Sequence, residues 1–287
     1  MKPFTFLTPT DAHEAVALMA EHGTSARLIA GGQSLLLAMK ERTATPSVLV
    51  SLSSVTGLSG ITTGSSGELS VGTTTTYAVL ADAALPGWHA EISRMAGDLA
   101  DRPVRTMGTI GGAICAADPR FDMPVLVMGT GARLEVLGAA GARTIDPSDF
   151  FLAGGGTCLS PDEVLTAIHF PEREHYRAVA FEKFRQRQFD AATASVLCAL
   201  TQGSDGRIGA ARIAVGAVAP SPRLCSATTE AMVSGADPFA LDLEEVGVAV
   251  AAEVLPETDT GTARYHCELV KALTRRALAR ALSTLGS

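Results

Sequence analysis

Apolar and polar positions change their period twice along the chain, dividing it into three blocks. Residues 10–22 open on Thr10-Asp11 and then place apolar groups at helical spacing, so a capped helix is expected, ending at Gly23. A short apolar strand is expected at 26–29, a helix at 35–40 and a second strand at 48–52, together a βαβ-like unit. From Gly57 the pattern shifts to short strands between Gly and Ser turns, at 58–62, 68–72 and 133–137. Helical stretches intervene at 78–82, 88–100 and 122–128, the second ending near Asp101-Arg102-Pro103, where proline forbids continuation. Residues 171–177 are polar and proline-bearing and read as a boundary. Beyond them, 178–184, 193–201 and 208–218 alternate as three antiparallel strands, followed by helices at 240–255 and 265–285.

Composition narrows the classes of function. The 287 residues can bury a sizeable core and divide into two or three domains. Apolar residues make up 47% and charged residues 18%, so much surface is expected to be buried, within the chain or against partners. A net charge of −7 argues against a nucleic-acid binder. No apolar run reaches the roughly 18 residues of a membrane span, and Met1-Lys2-Pro3-Phe4 does not open a signal peptide, so a cytoplasmic location is expected. The five cysteines stand singly, without Cys-x-x-Cys, and the histidines form neither His-x-His nor His-Glu-x-x-His. No metal site is expected, and any redox chemistry must come from an organic cofactor.

Two glycine pairs are the candidate chemistry: Ile29-Ala30-Gly31-Gly32-Gln33-Ser34-Leu35 and Thr109-Ile110-Gly111-Gly112-Ala113. Paired glycines let backbone N–H groups approach an anion with no Cβ in the way, and each pair stands beside a hydroxyl. Asp118-Pro119 and Asp122 follow the second pair. Two such turns suggest a pyrophosphate clamped from both sides. The common alternatives fail on spacing. Gly129-Thr130-Gly131 has Leu134 where a Rossmann fingerprint needs its third glycine, no Gly-Lys-Ser/Thr exists, and Gly-x-Ser-x-Gly is absent.

The chain resembles the flavoprotein subunits of the molybdenum hydroxylases. Ala30-Gly31-Gly32-Gln33-Ser34 and Thr109-Ile110-Gly111-Gly112-Ala113 look like that family's two FAD-pyrophosphate loops. The likeness continues through 27–29, 39–46, 105–108, Asp118-Pro119, Asp122-Met123-Pro124, 159–165 and 181–184 into the helix at 263–278. It implies an α+β chain: a two-subdomain FAD-binding fold of the vanillyl-alcohol-oxidase-like (PCMH) type at 1–56 and 57–172, then a C-terminal α/β domain at 178–287. The latter is expected to hold a three-stranded antiparallel sheet.

The resemblance also places Asp122 on the cofactor's ribityl or ribose hydroxyls, with a helix cap as the plainer role. Leu165 becomes an apolar cofactor contact or plain core, and Lys183 a cation near the isoalloxazine. Arg187 and Asp190 fit the pattern or pair with a neighbour. Two positions depart from it, Ala113 where Asn or Asp is common and Ala116 where His or Asn is frequent, while Gln33 replaces the His of some members.

No catalytic base is expected. The implied role is electron transfer, from the [2Fe–2S] clusters of a small subunit in a complex with a molybdopterin large subunit to an external acceptor. Two alternatives are a stand-alone FAD oxidase of the same fold and a non-catalytic nucleotide-binding regulator. The substrate, bound by the molybdenum subunit, is not legible in this chain.

Overall fold

The computed structural model describes residues 1–255 and 261–285. Part of the helical C-terminal block expected to 287, residues 256–260 and 286–287, lies outside the described residues. Three sheets organise the described residues.

The first sheet is parallel, from β1 (Thr5–Leu7), β2 (Ala26–Ile29) and β3 (Val48–Ser51) in the order β1-β3-β2. Its helices are α1 (Ala12–His22) and α2 (Leu35–Glu41). Asp11 starts α1 by accepting from the Glu14 N–H at 2.9 Å, while the Glu14 carboxylate accepts from the Thr10 N–H at 2.7 Å. These reciprocal bonds satisfy donors that a bare helix end leaves open. The buried face of α1, Ala15, Val16 and Met19, packs on Val48 and Val50 of the central strand. Three-residue β1 is too short to show a period in the sequence.

The second sheet is antiparallel and five-stranded: β4 (Ile61–Thr63), β5 (Leu69–Gly72), β6 (Arg133–Gly138), β7 (Gly141–Ile145) and β8 (Val164–Phe170) in the order β4-β5-β8-β6-β7. Between β5 and β6 run α3 (Tyr77–Asp82), α4 (Ala90–Gly97), α5 (Arg102–Met107), α6 (Ile110–Ala116) and α7 (Asp122–Thr130), and α8 (Pro147–Phe150) follows β7. Helix α4 ends at Gly97, short of Pro103, and the proline then lies in the first turn of a new helix, α5, where its missing N–H costs nothing. Asp101 caps that turn by accepting from the Val104 N–H at 3.0 Å. All nine residues of α7 are buried, because the helix lies between this sheet and the next.

The third sheet corrects an expectation. It has four antiparallel strands: β9 (Ala178–Phe184), β10 (Ala194–Gln202), β11 (Ile208–Gly216) and β12 (Arg223–Leu224), in the order β12-β11-β10-β9. Two-residue β12, pairing Leu224 with Ala214 and Arg223 with Val215, offers no alternation to read. Helices α9 (Ala227–Ala231), α10 (Leu243–Val254) and α11 (Gly261–Leu285) complete the chain. Central β10 is buried on both faces. Leu197 and Ala199 face α7 and the second sheet's core, while Val196, Cys198 and Leu200 face α10 and α11.

A buried charge cluster joins this C-terminal unit to the rest. Glu91 of α4, 7% exposed, accepts from both Arg94 and Arg280 and from the Phe181 N–H at 2.7 Å. Arg94 and Arg280 also each donate to the Phe181 carbonyl. One carboxylate thus ties α4 to β9 and α11.

Candidate functional site

The fold brings the two glycine pairs together. Gly31 lies so close to the end of α5 that a Cβ there would fall 1.8 Å from the Met107 carbonyl oxygen and 3.0 Å from the Gly108 Cα. Only glycine permits that approach. Gly32 adopts φ +70°, turning the chain from β2 into α2. The Gln33 side-chain amide donates to the Gly31 carbonyl at 3.1 Å and braces the turn.

The pairs differ in what their N–H groups do. From Ala30 through Leu35, no backbone N–H donates to an acceptor among the described residues, although the carbonyls of Gly32 and Ser34 accept from α2. The stretch runs from half-buried Ala30, Gly31 and Gly32 to exposed Gln33 and Ser34, on the end of buried Ile29. Unpaired consecutive donors of this kind form an anion-binding concavity.

In the second pair the donors are taken. The Ile110 N–H goes to the Thr75 carbonyl (3.0 Å), Gly111 to Thr73 (2.9 Å) and Ala113 to Thr109 (3.1 Å). The Gly112 N–H goes to the Thr109 hydroxyl (3.1 Å). Thr109–Ala113 is therefore the capped first turn of α6, with neither glycine at positive φ, rather than a glycine turn. Gly111 is needed for packing, since its Cβ would lie 1.6 Å from the Thr73 hydroxyl oxygen. Among the described residues the Thr109 hydroxyl only accepts, so its O–H can donate, and exposed Gly112 leaves the surface beside it open.

Downstream, Asp118 is engaged in its own turn. Its carboxylate accepts from the Arg120 backbone N–H (3.0 Å), Nε (2.9 Å) and Nη2 (2.6 Å). Those bonds hold its carboxyl below the usual range. Asp122 is not a helix cap: the N-cap of α7 is Phe121, with no side-chain bond. Its carboxylate is buried instead against Lys183 of β9, Nζ to Oδ2 2.6 Å, with 7% and 3% of the two side chains exposed. Burial pushes the Asp122 carboxyl above its ordinary 3.8, against the pull of Lys183. Leu165, on β8, is part of the apolar core. Arg187 and Asp190 are both exposed and form no ion pair among the described residues.

Three further residues belong to the surroundings of the Lys183–Asp122 pair without having stood out in the sequence: Asp98 and Arg185 on the lysine side and Tyr77 on the aspartate side. Asp98, at the C-terminus of α4, offers Lys183 both its carbonyl and its carboxylate, each at 3.3 Å. Arg185 donates to the same carbonyl (2.8 Å) and to Asp98 Oδ1 (2.7 Å). The buried Tyr77 ring packs on Gly108, and burial together with the Asp122 charge pushes its hydroxyl well above 10.0. The one available signal was the two-residue step from Lys183, near the end of β9, to Arg185 just beyond it, a spacing that keeps both on one side of extended chain. A cavity of about 440 Å³ opens nearby, lined by Arg120, Gln186, Asp190, Thr193 and His266 among others.

A row of N–H groups without acceptors among the described residues, held against a second backbone, is chemically suited to an anionic ligand. Comparison with known proteins names the protein's class. Residues 2–173 match the FAD binding domain in molybdopterin dehydrogenase, and residues 179–281 match the CO dehydrogenase flavoprotein C-terminal domain. The chain belongs to this family of FAD-carrying medium subunits of multi-subunit molybdenum hydroxylases.

The carbon monoxide dehydrogenase medium chain of Afipia carboxidovorans is 34% identical over 279 residues, covering 97% of this chain and 96% of that one. The xanthine dehydrogenase FAD-binding subunit of Escherichia coli O157:H7 is 25% identical over 279 residues, 95% and 94%. A crystal structure of the Cu,Mo-CO dehydrogenase in its cyanide-inactivated form contains a chain that superposes with a TM-score of 0.89 at 32% identity. That match covers 99% of this chain and all of the other.

Proposed function

We propose that this chain takes electrons from the [2Fe–2S] clusters of a small partner subunit and passes them to an external acceptor. A molybdopterin-bearing large subunit would oxidise the substrate. The observation that carries the reading is the row of unpaired N–H groups from Ala30 to Leu35, held against Met107–Gly108. Such a row fits the pyrophosphate of FAD.

On this reading Ile29, Ala30, Gly31, Gly32, Gln33, Ser34 and Leu35 hold the pyrophosphate, chiefly through backbone donors. Thr109, Ile110, Gly111, Gly112 and Ala113 contribute the Thr109 hydroxyl and a surface without side chains. Asp118 stiffens the adjoining turn through Arg120, Asp122 accepts from cofactor hydroxyls, and Leu165 backs the apolar wall. Lys183 uses two of its three N–H groups on Asp122 and the Asp98 carbonyl, and the flavin would share the third with Asp98 Oδ2, 3.3 Å away. When bound, FAD supplies chemistry that accepts electrons singly and delivers them singly or in pairs. The protein orients the cofactor, excludes water from the Lys183–Asp122 pair and fixes the local charge.

Half-exposed Leu37 and Met107 stand on α2 and α5, which adjoin the first loop, and half-exposed Val79 stands on α3, which packs on α5. Apolar side chains there suit a subunit interface. Among the described residues no helix is long and apolar enough to cross a membrane, and the composition suits a cytoplasmic complex.

The test is to purify the full chain, record its absorption, and identify any chromophore released by heating. Noncovalent FAD, with capture of an iron–sulfur and a molybdopterin subunit on a tagged chain, supports the reading. A colourless chain that takes up no added FAD overturns it.

A further inference from the structure

Lys183 sits among two carboxylates and a guanidinium, and the pairing is uneven. Asp122 Oδ2 holds one N–H at 2.6 Å and the Asp98 carbonyl a second at 3.3 Å. Asp98 Oδ2, at 3.3 Å, is the remaining side-chain oxygen bearing on the third N–H among the described residues. Its sister oxygen Oδ1 is held at 2.7 Å by Arg185, which also grips the Asp98 carbonyl. Arg185 therefore sets how strongly Asp98 competes for the proton that would face a ligand. Asp98 and Arg185 also carry opposite charges beside the buried ammonium, so their contributions to its field oppose each other.

We propose that Asp98 and Arg185 are positioning residues that set the orientation and effective charge of Lys183, and through it the reduction potential of the bound flavin. The inference rests on the preceding reading of Lys183 as a cofactor neighbour. Reduction adds negative charge to the flavin, so a more positive field raises its potential and a less positive one lowers it. Asp98→Asn removes a negative charge and leaves Lys183 freer toward the flavin. Arg185→Gln removes a positive charge and releases Asp98 onto the third N–H. The two single changes must move the potential in opposite directions, and the double variant, neutral in charge, must return it toward wild type. Loss of packing alone predicts no such antisymmetry.

The experiment is a spectroelectrochemical titration of the full chain loaded with FAD, for wild type, D98N, R185Q and the double variant, at low and high ionic strength. The expected result is a positive shift for D98N and a negative shift for R185Q. Asp98 is 42% exposed, so both shifts should shrink as salt rises. Unchanged potentials, or shifts of one sign in both variants, overturn the proposal. Should D98N fail to accumulate, the sign of the R185Q shift decides alone. A wild-type chain that binds no FAD overturns the functional reading instead, so the two failures are distinct.

Discussion

Replacing Gly31 with alanine tests the close approach on which the site depends. The added Cβ would fall 1.8 Å from the Met107 carbonyl oxygen and 2.6 Å from its carbonyl carbon. Non-bonded heavy atoms settle near ~3.5 Å, so the two backbones must part by roughly 1.5 Å. Neither clashing atom is the movable end of a side chain, which puts the cost at the upper end of the ~1–3 kcal/mol typical of overpacking. At ~2–4 °C per kcal/mol for a chain of this size, a penalty of about 3 kcal/mol lowers Tm by roughly 6–12 °C.

Displacing the free N–H row should also weaken FAD retention by at least about tenfold, equivalent to ~1.4 kcal/mol. Gly154→Ala is the control, because a Cβ there meets nothing within 4 Å and the position has no positive φ. It should stay within about 0.5 kcal/mol of wild type. The assay is thermal unfolding with and without FAD, together with fluorescence of the flavin released from purified protein. A Gly31→Ala chain that melts with the control and keeps its full complement of FAD would refute the close-approach argument.

Glu91→Gln should cost ~3–5 kcal/mol in urea unfolding at pH 7, because two arginines lose the charge that pairs them. Burial alone pushes the Glu91 carboxyl up, but hydrogen bonds from Arg94 and Arg280 overcome it and hold it below its ordinary 4.5. A lowered folded pKa contributes stability that is complete above the unfolded value and fades as pH falls through the folded one. The wild-type advantage over Glu91→Gln should therefore narrow below pH 4.5; a gap constant down to pH 3 counts against the ion cluster. Lys183→Met strands the buried Asp122 carboxylate and should cost ~3–5 kcal/mol in the flavin-free chain, with Asp122→Asn recovering much of it. Additive losses in that double-mutant cycle would mean the pair is uncoupled.

Long periodic elements were legible in the sequence: α1, β10 and α11 follow from apolar spacing and local capping. Short ones were not. β1 and β12 span three and two residues and exist only because a neighbouring strand supplies their partners. Pro103 marks a stop, and α4 does end before it at Gly97, but the same residue is welcome in the first turn of α5, which the Asp101 cap starts. Likewise, Gly111-Gly112 reads as a turn locally, yet Thr109 caps it into helix and Thr73 demands its missing Cβ. At the site, the glycine pairs stood out by motif, and Lys183 only through the family resemblance. Asp98 and Tyr77 did not, since Asp98 meets Lys183, 85 residues further on, and Tyr77 packs on Gly108 at the end of another helix, contacts that no local pattern encodes.

The Glu91 cluster carries a consequence for how the chain is made. Arg94 emerges three residues after Glu91, but Arg280 follows it by 189. At translation rates of ~5–20 residues per second, that interval is roughly 10–40 s. Throughout it the nascent flavin-binding half carries a carboxylate with half its guanidinium partners, poised to be sealed only when α11 arrives. The full set of charge partners around Glu91 thus exists only once nearly the whole chain has been synthesised.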